Sequence, residues 1–406
     1  MRHLHSAAEL TRLRGFAVAA VAACGIALCA PAAVAAPLDP VYPAFDQDAF
    51  RSPPPELGAL PPGRIVAARP VTARLDGVAL SGVRAWQISF RSSDSHDRPV
   101  LGVTTLLVPD AEWTGPGARP LVSQQLAYDS AAPQCAPSVG MAASAGDPRP
   151  LLGHNWAVAV PDHEGPRAAF MAGIAGGRLV LDGIRAVRAF AEAGIGPDSP
   201  LALDGYSGGA QPSAWAAESQ SSYAPELTFT GAAFGGLPAD PAAVARQLDG
   251  TAFSGLMFAA LAGMSAEYPE AGIAELLNDE GRRVLDAMRA GCADIVPGYA
   301  FRRLAEHSVV PDPIAEPGPA AVLAANVLGR TAPPMPVYDY HAAFDEVVPL
   351  AQADAVVEAW CATGAQVLVH RSITEHISSY QLDHAGAVQY LAERFAGLPA
   401  RDDCAS

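Results

Sequence analysis

The stretch Leu201-Ala-Leu-Asp-Gly-Tyr-Ser-Gly-Gly-Ala210 decides the fold. It predicts a short apolar strand that runs into a Gly-x-Ser-x-Gly turn centred on Ser207 and then into a helix. A side chain at the tip of so tight a turn needs neighbours of almost no volume, which Gly205 and Gly209 provide. The turn also directs the unpaired N–H groups of the helix towards the serine hydroxyl. Ser207 is therefore predicted to be a nucleophile, with a mere glycine turn as the alternative.

Strands and helices alternate on both sides of this stretch. Short runs rich in β-branched and aromatic residues predict strands at 65–67, 85–90, 100–108, 119–125, 155–161, 201–206, 227–236, 337–340 and 366–370. The first three of these strands are expected to be antiparallel at a sheet edge. Apolar residues at helical spacing predict helices, most of them with a glycine stop, at 176–193, 350–361 and 385–395. This alternation predicts an α/β fold with a doubly wound, mostly parallel sheet.

The alternation stops between residues 241 and 311, where only helical patterns occur. We expect this insertion to form a cap over the site, although its apolar run at 253–264 is also compatible with ordinary core. A proline-rich linker is expected at 311–336. The predicted divisions are a signal peptide (1–35), an extended N-terminal arm (36–62), the first part of the core (63–238), the helical cap (239–315) and the second part of the core (316–406).

The first 35 residues predict a secretory signal peptide. Arg12 and Arg14 precede an apolar run over 16–30, and Ala33-Val-Ala35 fits a small-x-small cleavage site. The apolar run is too short to span a bilayer, and no transmembrane segment is predicted later. We therefore expect a soluble, secreted protein. The alternative is a lipid anchor on Cys24, because residues 21–24 resemble a lipoprotein cleavage site.

Composition excludes several classes of function. The formal net charge is -16, which makes nucleic acid an improbable partner. All 26 basic residues are arginine, so Schiff-base enzymes and phosphate-loop lysines are excluded. Four cysteines lie beyond the signal, namely Cys135, Cys292, Cys361 and Cys404. This even number suggests two disulfides, and three pairings are possible. Their spacing is not that of a zinc site, and we expect no metal and no cofactor.

The chain offers the residues of an acyl-transfer triad in the order serine, acid, histidine. Asp345 follows the strand at 337–340, and His376 follows the strand at 366–370. Because the carboxyl ends of parallel strands meet at one edge of a sheet, both side chains can reach Ser207. We predict these three residues as the triad.

Three other residues are weighed against this assignment, and one further pair is weighed as a metal site. Asp339 lies inside its strand, Glu346 is expected to turn away, and His384 is expected on the surface at the start of the last helix. The pair His163-Glu164 resembles part of a metal site, but no third ligand stands at ligand spacing, so a structural role is predicted.

Five stretches resemble the secretory lipase family, the fungal lipase A type and its bacterial relatives. They are residues 128–138, 161–166, 205–210, 345–349 and 394–397, and the likeness covers nearly the whole mature chain. The resemblance implies an α/β-hydrolase fold with catalytic residues Ser207, Asp345 and His376. It also implies oxyanion donors on the backbone of Gly208 and Asp129, and a lid over an acyl-binding tunnel. The implied disulfides are Cys135 with Cys292 and Cys361 with Cys404.

We therefore expect a secreted serine hydrolase that cleaves carboxylic esters through an acyl-enzyme, most closely a triacylglycerol lipase. Its partner would be a small-molecule or lipid ester, with transient contact to a lipid interface. One alternative is a carboxylesterase or acyltransferase acting on non-glyceride esters. The other is a catalytically inactive α/β-hydrolase-fold binding protein.

Overall fold

The computed structural model describes residues 45–404, so the predicted signal peptide and Cys24 lie outside the described residues. The strands are β1 (Ile65–Val71), β2 (Arg74–Leu75), β3 (Val78–Ala79), β4 (Val83–Ser93), β5 (Pro99–Pro109), β6 (Leu121–Gln125), β7 (Ala157–Pro161), β8 (Leu201–Tyr206), β9 (Phe229–Gly235), β10 (Val337–Ala342) and β11 (Val367–Ser372). The α-helices are α1 (Arg149–Gly153), α2 (Gly173–Ala189), α3 (Ala210–Tyr223), α4 (Pro241–Leu248), α5 (Ser254–Glu267), α6 (Asp279–Ala290), α7 (Pro317–Ala325), α8 (Leu350–Ala362) and α9 (His376–Phe395).

Nine strands form one sheet in the order β1-β4-β5-β7-β6-β8-β9-β10-β11, and β2 and β3 form a separate hairpin. The pairs from β1 to β7 are antiparallel. All pairs from β7 to β11 are parallel. The predicted mostly parallel sheet with an antiparallel edge is therefore confirmed. Since β8, β10 and β11 end at the same edge, the residues that follow them are brought together although they are far apart in the chain.

Helices cover both faces of this sheet, as a doubly wound fold requires. Apolar side chains of α2, α3 and α8 pack on one face, where Leu181, Ala214 and Trp360 are buried. Side chains of α1 and α9 pack on the other, where Leu151 and Leu391 are buried. The strands between these layers carry apolar residues on both sides, which explains their nearly continuous apolar sequences.

The segment between β9 and β10 is the helical insertion, and it contains α4 to α7. Its helices share a second apolar cluster that includes Phe258, Leu285 and Leu323. The expected proline-rich linker at 311–336 is wrong in part, because it contains α7. Pro317 stands at the start of α7. A proline is tolerated there because the first-turn N–H groups have no partner within the helix.

The N-terminal arm is not extended where the structure describes it. Its residues form three short 3₁₀ turns at Phe45–Gln47, Ala49–Arg51 and Leu57–Ala59. Asp48 causes the second turn, because its carboxylate accepts from the Phe50 amide at 3.1 Å. The same carboxylate lies 2.7 Å from the Arg69 guanidinium of β1, which fastens the arm to the edge of the sheet.

Two helix boundaries differ from the predictions. The helix predicted at 176–193 runs from Gly173 to Ala189, and a separate 3₁₀ turn follows before Gly194. The closing helix begins at His376 rather than at residue 385, because Glu375 caps it by accepting from the Ile377 and Ser378 amides at 2.9 and 3.0 Å. The first turns contain a β-branched residue and two serines, which have low helix propensity and conceal the start.

Two disulfides join distant segments. Cys135, after β6, is bonded to Cys292, which follows α6 of the insertion. Cys361 in α8 is bonded to Cys404 beyond α9. The first bond closes a loop between residues 157 positions apart, so it restricts the unfolded chain strongly. Among residues 45–404, no helix combines the length and the apolar character needed to cross a bilayer.

His384 is buried, and its predicted surface position is wrong. The earlier start of α9 places it in the interior of the helix, facing the sheet, with Nε2 3.0 Å from Asp204 Oδ2 of β8. Burial alone would lower the pKa of His384, but the charge and hydrogen bond of Asp204 outweigh burial and raise it. The imidazolium and the carboxylate therefore form a buried ion pair beneath the Ser207 turn.

Replacing His384 by alanine is expected to lower the free energy of unfolding by about 3 kcal/mol, because it leaves a buried carboxylate without its cationic partner. The raised pKa of His384 means that the pair stabilises the fold most below the histidine's unfolded pKa, and that this contribution is lost as the pH rises through the folded pKa. Urea unfolding of the wild type and the variant at pH 5.5 and 8.5 tests this. Equal destabilisation at the two pH values would contradict the ion-pair assignment.

Candidate active site

Ser207 occupies a strained turn between β8 and α3. Its φ is +52°, a left-handed conformation that non-glycine residues rarely adopt. A Cβ on Gly205 would lie 2.4 Å from the Gly209 carbonyl oxygen, and one on Gly209 would lie 1.9 Å from the Gln125 carbonyl oxygen. Larger residues would therefore push the turn away from the sheet. The two glycines provide the space that the sequence pattern indicated.

The structure brings the three predicted triad residues within hydrogen-bonding distance of one another. Ser207 Oγ lies 2.8 Å from His376 Nε2. On the other side of the ring, His376 Nδ1 lies 2.7 Å from Asp345 Oδ2. The histidine and the aspartate are both buried. A ring held in this way can accept a proton from Ser207 on Nε2 while Nδ1 keeps its own proton.

Asp345 is oriented by the backbone of its own loop. Its Oδ1 accepts hydrogen bonds from the amides of Val347 at 3.0 Å and Val348 at 2.7 Å, which leaves Oδ2 for His376. Burial raises the pKa of Asp345, but the hydrogen bond and charge of His376, with the Val348 amide, hold it below its ordinary value. The carboxylate is therefore ionised at neutral pH and can stabilise a positive charge on the ring.

Two neighbours of this arrangement were not predicted to have a part in it. His341 of β10 is buried, and its Nε2 lies 3.0 Å from the Val348 carbonyl oxygen and 3.3 Å from Asp345 Oδ2. Because a carbonyl oxygen only accepts, Nε2 carries the proton. Glu346, expected to turn away, accepts from the His376 amide through Oε2 at 3.1 Å. The Glu346 contact arises where two strands end side by side, so no local pattern indicates it. The contacts of His341 lie within its own segment, because Asp345 and Val348 are only four and seven positions further along the chain.

The remaining acidic alternative, Asp339, pairs with an arginine. It is buried in β10, and its Oδ1 is 2.7 Å from the Arg371 guanidinium of β11. Arg371 also contacts the Asp354 carboxylate at 2.8 Å. The role of Asp339 in the structure is therefore an ion pair between neighbouring strands.

Gly208 and Asp129 face each other next to Ser207. A Cβ on Gly208 would lie 1.9 Å from Asp129 Oδ1, so the carboxyl group rests directly against this glycine. Asp129 has a φ of +43° and, within the described chain, its amide donates no backbone hydrogen bond. The Gly208 amide lies in the first turn after β8, where N–H groups have no partner within the helix. The two amides can therefore receive a negatively charged oxygen.

Burial raises the pKa of the Asp129 carboxyl to about 6, although the charge of His376 acts in the opposite direction. Within residues 45–404, its Oδ1 has no hydrogen-bond partner. Behind it, burial and then the charge of Asp129 hold the pKa of Glu164 well above its ordinary value. Glu164 supports the Asp129 loop, because its amide donates to the Tyr128 hydroxyl at 2.9 Å and its Oε1 lies 3.4 Å from the Ser130 amide.

His163 is buried, and burial lowers its pKa to about 3. In the described part of the chain, the one group of side chains at metal-ligand spacing is Asp94, His96 and Glu267, which does not include His163. The Arg167 guanidinium already pairs with two members of that group, at 2.8 Å from Asp94 and 2.5 Å from Glu267. These carboxylates tie the β4–β5 loop to α5.

An apolar cavity opens from Ser207 into the helical insertion. Its polar end is formed by Ser207, Gly208 and Asp129. The rest of its wall consists of side chains from the insertion and its surroundings, namely Phe170, Met171, Pro238, Pro241, Val244, Ala245, Leu248, Leu256, Met257, Ala260, Leu261, Met264, Ile314, Leu323, Val347 and Val348. A site of this kind suits a molecule with one polar group and a long apolar part.

Comparisons with known proteins agree with this geometry. A family model described as secretory lipase matches residues 148–403. The chain is 33% identical over 374 residues to a probable inactive lipase of Mycobacterium tuberculosis, covering 87% of this chain and 83% of that one. It is 33% identical over 394 residues to a trichothecene C-3 esterase of Fusarium sporotrichioides, covering 90% and 86% respectively. The X-ray structure of Candida antarctica lipase A in its closed state aligns with a TM-score of 0.80 and 28% identity over 88% of each chain. The predicted α/β-hydrolase fold with a helical cap is thus confirmed.

Proposed function

Because the chain belongs to the secretory lipase family, we propose that it is an exported serine hydrolase that cleaves carboxylic esters, with acylglycerols as its main substrates. The observation that carries this proposal is the continuous contact from Ser207 Oγ through His376 to Asp345, at 2.8 and 2.7 Å, beside an apolar cavity. Such a contact can generate a nucleophile at neutral pH.

The reaction proceeds in two halves. Ser207 Oγ attacks the ester carbonyl carbon while His376 Nε2 takes its proton, and the amides of Gly208 and Asp129 bind the resulting oxyanion. The tetrahedral intermediate expels the alcohol, which receives that proton from His376, and an acyl-enzyme on Ser207 remains. Water then attacks the acyl carbon, gives a proton to His376 and releases the carboxylic acid and the free Ser207.

The cavity supports an acyl chain as the apolar part of the substrate. It begins at the reacting serine and is lined by aliphatic and aromatic side chains, so a hydrocarbon chain loses contact with water there. The helical insertion provides most of this wall and thereby acts as a lid. Export is supported by the secretory family and by the two disulfides, which persist in oxidising surroundings. Nothing in the comparisons supports the alternative of acylation at Cys24.

The inactive-scaffold alternative is favoured by one observation, the relative named a probable inactive lipase. Hydrolysis of a p-nitrophenyl ester series from butyrate to palmitate by the purified protein decides between the two functions. We expect turnover with every ester that fits the cavity, and a preference among chain lengths. A folded wild-type protein that binds these esters and turns none of them over would support the scaffold function instead.

Replacing Ala260 by tryptophan is expected to lower kcat/KM for palmitate at least tenfold relative to butyrate, because the indole fills the cavity that the longer chain needs. Ala260 lines the cavity from α5. Ala266 lies on the same helix outside that lining, so Ala266→Trp is the matched control. An unchanged ratio of palmitate to butyrate hydrolysis in Ala260→Trp would show that the acyl chain binds elsewhere.

Replacing Asp129 by asparagine is expected to change the pH dependence of kcat. With a pKa of about 6, the Asp129 carboxyl is neutral below that pH and negative above it, where it opposes the developing oxyanion. The ratio of wild-type to variant kcat should therefore fall by about tenfold as the pH rises from 5 to 8. A ratio that stays constant over this range would contradict the assignment.

A further inference from the structure

Three large apolar side chains are exposed on neighbouring segments beside the proposed triad. Phe344, in the loop after β10, is 71% exposed, and Ile373, in the loop after β11, is 88% exposed. Ile377, in the first turn of α9, is 55% exposed. We call these three residues the rim patch. The described residues include nine exposed large hydrophobic side chains, so a third of them are concentrated on these two short segments.

The two loops that carry the rim patch are held together by their backbones. The Ala343 amide donates to the Ser372 carbonyl oxygen at 2.7 Å, and the Phe344 amide donates to the Thr374 carbonyl oxygen at 3.1 Å. The rim patch is therefore one surface presented by ordered loops. Exposed apolar side chains that are grouped in this way mark a contact site rather than scattered surface residues.

The rim patch is adjacent in the chain to two residues of the proposed triad. Phe344 directly precedes Asp345, and Ile377 directly follows His376. The two residues lie at the outer ends of the same backbone segments that orient the buried imidazole and carboxylate. Whatever covers the rim patch is therefore held next to the groups that process the ester.

The charged residues beside the rim patch limit the kinds of surface that can bind it. Glu346 and Glu375 lie among the three apolar residues, and neither 343–349 nor 372–378 contains an arginine. A hydrogen bond from Ser378, with the amides of the first turn, holds the pKa of Glu375 below its ordinary value. The border of the rim patch is thus negative and repels anionic headgroups and acidic proteins.

We propose that the rim patch docks on the uncharged surface of an aggregated lipid ester, an oil–water interface, and so delivers the ester to Ser207. This inference rests on the proposed function. The apolar side chains leave water when they enter the oil, and the neutral surface does not oppose the acidic border. Docking at the rim patch would hold the interface beside the two segments that carry Asp345 and His376.

Flotation with triolein droplets tests the docking step without catalysis, since the protein used carries Ser207→Ala. In that background we compare the triple variant Phe344→Ser, Ile373→Ser and Ile377→Ser with a matched triple, Val78→Ser, Phe301→Ser and Val309→Ser. The control residues are 70%, 70% and 64% exposed, and they lie elsewhere on the chain. We expect the rim-patch triple to lower the droplet-bound fraction at least tenfold and the matched triple to leave it unchanged.

A parallel measurement uses proteins that keep Ser207, and it separates docking from chemistry. The rim-patch triple should hydrolyse soluble p-nitrophenyl butyrate within about twofold of the wild type and hydrolyse emulsified triolein at least tenfold more slowly. If the wild type itself fails on the soluble ester, the proposed function fails while the flotation result still stands. If the triple variant does not fold, Ile373→Ser alone, with the most exposed side chain, should show a threefold loss of droplet binding.

Several outcomes would overturn the proposal. Equal droplet binding by the parent and the rim-patch triple would exclude this surface as the docking site. Stronger binding to phosphatidylglycerol vesicles than to triolein would contradict the role of the acidic border. A dimer in sedimentation velocity that the triple variant abolishes would show that the rim patch contacts a second copy of the chain instead.

Discussion

Replacing Ser207 by alanine is expected to lower kcat for p-nitrophenyl butyrate by about 10⁵- to 10⁶-fold, to the residual rate that binding and oxyanion stabilisation alone supply. The effect is this large because His376, 2.8 Å from Ser207 Oγ, then has no hydroxyl to activate. The measurement is steady-state hydrolysis by purified protein whose unfolding transition matches that of the wild type. An equal unfolding midpoint ensures that the lost rate reflects chemistry rather than stability.

A fluorophosphonate probe identifies the nucleophile independently of turnover. Mass spectrometry should locate the label on Ser207 in the wild type and find no label on the alanine variant. Ser222 lies exposed on α3, and its hydroxyl donates to the Ser219 carbonyl oxygen of the same helix at 3.1 Å. Ser222→Ala is therefore the matched control and should be labelled normally. Label on any other residue, or substantial activity in the alanine variant, would refute the assignment of Ser207.

Replacing Asp345 by asparagine is expected to lower kcat by about 10⁴-fold with little change in KM. The reason lies in the loop geometry. The Val347 and Val348 amides both donate to Oδ1, so the asparagine carbonyl must take that position and its NH₂ group must face His376 Nδ1. Nδ1 then has to accept, its proton moves to Nε2, and the ring can no longer accept the Ser207 proton.

Two other acidic residues provide controls for this substitution. Glu346→Gln keeps an acceptor for the His376 amide and should change kcat by no more than about threefold. Asp339→Asn weakens the pairing with Arg371 and should lower stability while the folded fraction keeps its activity. A loss in either control comparable with that of Asp345→Asn would mean that the aspartate assignment is wrong.

Local pattern was sufficient for a large part of the fold. The glycines around Ser207 indicate a tight turn, because a Cβ at these positions would clash with the backbone. This indication depends on only a few neighbouring residues. The apolar runs of β8, β9 and β10 likewise identify buried strands from their own composition. The alternation of such runs with helical periodicity was enough to predict a doubly wound sheet, which the structure and its similarity to lipase A confirm.

Local pattern was misleading where the environment outweighed propensity. The first turns of α9 contain Ile377 and two serines, yet the Glu375 cap and the burial of His384 keep them helical. The prolines before Leu323 indicated a linker. Proline at the start of α7 destabilises the helix little, and α7 is stabilised by packing against the other helices of the insertion. In both cases contacts with residues far along the chain decide the conformation, and no window of sequence contains them.

The sequence by itself determined that the chain has an α/β sheet with Ser207 in a glycine turn, that a helical insertion separates two later strands, and that Asp345 and His376 are the residues to test. Only the tertiary structure decided how these groups meet, because Ser207 and His376 are 169 positions apart and contact each other only once the parallel strands are ordered. The same ordering buries His384 against Asp204, sets Glu346 beside the His376 amide, and leaves the rim patch in water. Such pairings depend on which strand ends are neighbours, a property of the whole sheet that no single segment carries.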